Sequence, residues 1–162
     1  MYNEVGGVIL KNLSWYISLA ITFAGFTIIS RFFTLEIGDS VGNINPAFIP
    51  IVLLIPFLLL SLFITFTVGS TYFTNASPGK LIAGILVALL IFVLAGGTEY
   101  QFISGEIEQF GGIWSAENSK IYGLGFLNGF TNDWYFNESV FLILHTTAFL
   151  VGSMKKQKIE AE

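Results

Sequence analysis

The sequence predicts an all-α integral membrane protein: a bundle of four transmembrane helices, with an aromatic-rich extracytoplasmic loop of about 40 residues between the third and the fourth. Three observations predict it. Apolar residues make up 54% of the 162 and charged residues 11%, with a mean hydropathy of +0.74. A soluble domain carries roughly 25% charged residues, so no water-facing shell can be assembled from this inventory. The apolar residues gather in four runs, residues 8–33, 47–69, 81–97 and 139–154, each close to the ~20 residues that cross about 30 Å of hydrocarbon. No hydrophilic stretch is long enough to fold separately, so residues 1–162 read as one polytopic membrane domain.

The first run, at about 26 residues, outruns the roughly 7–15-residue core of a secretory signal. It is followed by Ser30-Arg31-Phe32-Phe33 rather than a small-residue cleavage site, so it is expected to stay as an anchor. Ser14, Ser18, Thr22 and Gly25 recur along it at helical spacing and share one face. The second run repeats the device with Ser61, Thr65 and Gly69, the third with Gly84 and Ala88, and the fourth with His145, Ala148 and Gly152. Small residues let helices approach closely in lipid, where the hydrophobic effect no longer drives association. Helix packing explains these stripes; convergence of the four faces on one site is the sharper reading.

In the second run Pro46 suits a helix entry, while Pro56 lies inside the span and removes a backbone hydrogen bond, which predicts a kink near Val52–Pro56. The connection, residues 70–79, offers Ser77 as an N-cap with Pro78 at the first helical position. Ser77-Pro78-Gly79-Lys80 lacks the glycine spacing and the Lys-Ser/Thr pair of a P-loop.

Residues 98–138 form the most unusual segment. Their ten aromatics (Tyr100, Phe102, Phe110, Trp114, Tyr122, Phe126, Phe130, Trp134, Tyr135 and Phe136) argue against disorder. Glycines at 105, 111, 112, 123, 125 and 129 supply turns. A folded cap with short strands or an interfacial helix is expected. Trp134, Tyr135 and Phe136 suit an interfacial belt, and Trp114, Trp134 and Tyr135 suit docking of another subunit.

The lysines set the orientation. Lys11, Lys80 and the tail Lys155, Lys156 and Lys158 place both termini and the 70–79 connection in the cytoplasm. Residues 34–46 and 98–138 then lie outside, with eight acidic residues against Lys120. The net charge of −4 argues against nucleic acid as a partner.

Groups able to carry chemistry are few. The absence of cysteine excludes disulfides, iron–sulfur ligation and thiol chemistry. His145 is the sole histidine and falls mid-span, where a polar group is a functional hypothesis by default. Two readings stand: a hydrogen bond to Ser or Thr of a neighbouring helix, or contact with a quinone-like cofactor. No metal site is expected, and no particular cofactor is implied. The four runs hold no Asp or Glu, which disfavours an ion-coupled pump. Glu106 and Glu108, flanked by Glu99 and Glu117, lack the ligand spacing of an EF-hand and read as a solvated acidic face. Asn12, Asn75 and Asn137 begin glycosylation sequons, of which Asn137 alone falls on the outer side.

The function expected is a non-catalytic accessory subunit of a larger membrane assembly, such as a respiratory or oxygenase complex, with the lipid bilayer and other membrane subunits as partners. Two alternatives remain from other classes. One is a small redox or lipid-ligand protein holding its ligand beside His145; the other is an oligomeric channel or carrier for a neutral solute, lined by the Ser and Thr stripes.

Overall fold

The computed structural model describes residues 2–40, 42, 44–72 and 76–154, with side chains from Leu13 onward except Tyr72. Lys155, Lys156, Lys158 and Asn75 lie outside these residues, as do the side chains of Lys11 and Asn12. Four helices form among the described residues: α1 (Tyr2–Phe32), α2 (Phe48–Tyr72), α3 (Pro78–Phe110) and α4 (Glu138–Met154). Among the described residues there is no strand. Three stretches, Leu13–Phe32, Phe48–Thr71 and Pro78–Phe110, are long and apolar enough to cross a membrane. The expected short strands are absent; the one regular element between α3 and α4 is a 3₁₀ turn, Asn132–Trp134.

Each boundary has a local cause. Asn45 opens the turn that leads into α2, its Oδ1 accepting the Ala47 N–H at 2.9 Å, and Pro46 and Ala47 form that turn just before Phe48. α2 then continues through Pro56. Ser77 holds the extended N-cap conformation before Pro78, as expected, but makes no side-chain capping bond. The far end of α3 departs most from expectation. The helix does not stop where the apolar run stops, near residue 97, but continues to Phe110. There Gly111, at φ 75°, enters the left-handed region. Gly111 N–H bonds the Glu108 carbonyl and Gly112 N–H the Ile107 carbonyl, the paired closure of a Schellman end. The 33 residues of α3 extend about 50 Å at 1.5 Å per residue, well beyond the thickness of hydrocarbon.

The helices pack with α2 between α1 and α4, while α3 makes its extensive contact with α4. The α2–α4 crossing is the closest. A Cβ on Gly69 would strike the Phe149 carbonyl, and one on Gly152 would strike the Phe66 carbonyl. At Gly25 a Cβ would meet the Leu54 side chain of α2. Backbone approach explains the small residues at Gly69 and Gly152, and side-chain packing the one at Gly25. Trp15 Nε1 donates to Thr65 Oγ1 at 3.0 Å, and Thr22, fully buried, bonds back to the Ser18 carbonyl at 2.8 Å. Ser18 bonds back to the Trp15 carbonyl at 2.8 Å. Ser14, on the same predicted stripe, is exposed. On α3, Ala88 is buried and Gly84 half-buried.

Two apolar cores result. The first joins α1, α2 and α4 through Phe26, Ile29, Ala47, Ile51, Leu54 and Phe141. The second lies in the cap, residues 111–137, where Phe110, Ile121, Phe130 and Trp134 pack against Ile103 and Ile107 of α3. The cap therefore folds back along the last turns of α3, whose Ile103, Ile107 and Phe110 share one face.

Candidate functional site

At the cap end of the helices the chain forms a cavity of about 640 Å³ that is open to solvent. Ser30, Arg31 and Thr34 line it from the end of α1, Glu36 and Ile37 from the following turn, Glu106 and Gln109 from α3, and Asp133 from the 3₁₀ turn. Three carboxylates thus come from segments far apart in sequence. Arg31, at the rim, pairs with Glu138 at 3.1 Å.

A buried polar hub fixes this geometry. Asn132, with no exposed surface, donates from Nδ2 to the Phe33 carbonyl at 2.9 Å. It also exchanges amide hydrogen bonds with Asn45, at 2.8 and 2.9 Å. One side chain therefore ties the end of α1, the turn into α2 and the 3₁₀ turn together. Leu35 N–H adds a bond to the Gly129 carbonyl at 2.8 Å. Gly129 leaves no room for a Cβ, which would fall 2.8 Å from Leu35 Cδ1.

Asn137 performs the equivalent task on the α3 side. Its Nδ2 donates to Glu99 Oε2 and to the Asp133 carbonyl, each at 2.7 Å, and its Oδ1 accepts Val140 N–H at 2.9 Å as the N-cap of α4. Asn137 is 7% exposed, so this sequon asparagine is spent on structure. Thr98 and Ser139 hydroxyls meet nearby at 3.0 Å.

The electrostatics are unbalanced. Glu99 is 8% exposed and its Oε1 has no hydrogen-bond partner; Asp133 Oδ1 is buried without one as well. Burial, reinforced by the neighbouring Glu106 and then Glu99 charges, pushes the Asp133 carboxyl up to about 7, against partial relief from the backbone N–H groups of Asp133 and Trp134. The reading of Glu99 and Glu106 as solvated needs correction. α3 continues past the apolar run and turns Glu99 onto the start of α4 and Glu106 into the cavity, while Glu108 and Glu117 do face solvent. A buried carboxylate is thus present on α3. No group of three or more His, Asp or Glu among the described residues is placed to hold a metal ion.

His145 lies elsewhere, between α2 and α4, and is 5% exposed. Its Nδ1 stands 2.8 Å from the Phe141 carbonyl, which only accepts, so Nδ1 carries the proton. Nε2 is then the acceptor for the Ser61 hydroxyl at 2.9 Å. Both ring nitrogens are engaged by the protein, and the ring lies against Phe141 with centroids 4.1 Å apart. The Ser–His contact resembles half of a hydrolytic triad, yet Ser61 has no exposed surface and the third group is a carbonyl.

Of the aromatics expected at a docking surface, Trp134 is 4% exposed and belongs to the cap core. Trp114 packs on it with centroids 6.3 Å apart, and Tyr135 sits edge-on to Phe126 at 6.2 Å. The large apolar side chains the cap exposes are Tyr122, Leu124 and Phe126, on a loop where Gly123 and Gly125 adopt positive φ.

Comparison with protein-family models, with curated proteins and with solved structures finds no match to this chain.

Proposed function

We propose that the chain is a non-catalytic membrane subunit with four spans, α4 being the fourth, and both termini in the cytoplasm. Its task is to present the folded cap to other membrane proteins. One observation carries the reading: the polar atoms of the His145 and Trp15 rings, which lie between the helices, are taken up within the protein. His145 is closed by Ser61 and Phe141, and Trp15 by Thr65. Such pairing stabilises helix packing in lipid and leaves the cap as the surface with something to offer. There Tyr122 and Phe126 are more than half exposed on a loop braced by Asn128 and Thr131, with Asn128 Nδ2 donating to the Gly125 carbonyl and Thr131 Oγ1 to the Phe126 carbonyl. Exposed aromatics on a rigid support suit an interface core.

A photo-crosslinking residue in place of Phe126, expressed in native membranes, tests this. A discrete adduct with another polypeptide is expected, absent when the same probe replaces the core residue Ile121. Adducts with lipid alone, or none, would overturn the docking role.

A further inference from the structure

We propose that the cap end is a pH-responsive clasp, in which a proton on Asp133 holds the 3₁₀ turn Asn132–Trp134 against α3 and loss of that proton loosens the cap. The geometry supplies each part. Asp133 Oδ1 and Glu99 Oε1 are buried carboxylate oxygens without partners. Asn137 Nδ2 ties the two residues together through other atoms, donating to Glu99 Oε2 on one side and to the Asp133 backbone carbonyl on the other. Glu106, two turns beyond Glu99 on the same face of α3, lines the cavity together with Asp133.

The charged groups that line this cavity or border it are Glu99 and Glu106 on α3, Arg31 on α1, Glu36 in the turn after it, and Glu138 on α4. The single cation among them is committed to Glu138, at 3.1 Å. An ionised Asp133 therefore meets like charges with no hydrogen-bond donor at Oδ1, whereas a protonated Asp133 removes that repulsion and gains a donor. The cavity gives the carboxyl its route for exchanging the proton with solvent.

The readout is built in, because the residue after Asp133 is Trp134, which plugs the cap core against Phe110 with ring centroids 6.2 Å apart. Loosening the turn withdraws Trp134 from that core. The clasp is independent of partner docking, since it rests on contacts within one chain.

The test is tryptophan emission and acrylamide quenching of the full chain in nanodiscs, from about pH 5 to about pH 9. Emission is expected to shift to the red and quenching to rise, with a midpoint near 7. Asp133→Asn is expected to hold the closed signal throughout. Glu106→Gln is expected to move the midpoint of an otherwise native transition, in the direction of lower charge repulsion and easier ionisation, and so to lower pH. A wild-type signal flat across the range, or a midpoint unmoved in Glu106→Gln, would overturn the clasp. So would a transition that survives in Asp133→Asn; if that variant does not fold, the Glu106→Gln midpoint still decides.

Discussion

Asn132 does at one position what a loop of this length usually needs several contacts to do. It is fully buried, and its amide satisfies the Phe33 carbonyl and both sides of the Asn45 amide. Removing it leaves buried partners unpaired, which costs about 1–3 kcal/mol per orphaned group. Asn132→Ala is therefore expected to lower the unfolding free energy in detergent by at least that one-group cost, and Asn132→Asp to do so as well, by placing another carboxylate beside Asp133. Asp133 itself gives a signed pH dependence. Its folded value, about 7, stands above the ordinary 3.8, so the folded protein binds the proton more tightly than the unfolded chain. Stability from this group is fully present below about pH 3.8 and is lost as pH rises through about 7. Thermal unfolding across that window should show the wild type weakening relative to Asp133→Asn; parallel curves would contradict the assignment.

At the scale of elements, glycine separates into two kinds. Gly69 and Gly152 exist for contact, each facing the opposing helix's carbonyl across α2–α4, so Gly152→Ala forces the helices apart and also strains the Ser61–His145 bond between them. Gly105, by contrast, sits inside α3 with open space where a Cβ would go and without a positive φ. Gly105→Ala is expected to stabilise α3 by about 0.5–1 kcal/mol, while Gly152→Ala destabilises; opposite signs in one unfolding assay check the distinction. The helices were legible in the sequence wherever a long apolar run exists. The end of α3 was not, because the apolar run stops at Gly96-Gly97 while the helix is carried onward by the spacing of Ile103, Ile107 and Phe110, whose burial depends on the cap. The Gly111-Gly112 doublet was visible as a turn; that it closes a helix was the part requiring that longer pattern. His145 was legible as a histidine needing a partner, since a lone imidazole between helices must be satisfied. The convergence of Glu99, Glu106 and Asp133 had no local signal, for it arises only when the chain after Gly112 folds back on α3.

For the molecule as a whole, the distribution of polarity follows a single axis. One end carries the cap, the cavity and the carboxylates, and the middle is apolar with its few polar groups paired. Lys80, beside the start of α3, stands at the opposite end. α4, with 17 residues, spans about 26 Å at 1.5 Å per residue, slightly less than the roughly 30 Å of hydrocarbon. It begins at the level of Thr98, through the Thr98–Ser139 contact, so the last dozen residues of α3 rise past it to brace the cap. The proposed topology requires that cap to face away from the lysines. The absence of cysteine makes a clean test, because any thiol introduced is the only one in the chain. With Glu117→Cys in the exposed part of the cap and Lys156→Cys in the tail, a membrane-impermeant maleimide applied to intact cells should label the first and spare the second until the membrane is opened. Labelling of both in intact cells, or of neither until the membrane is opened, would put cap and tail on one side and remove α4 as a fourth span, whereas labelling of Lys156→Cys alone in intact cells would invert the whole axis.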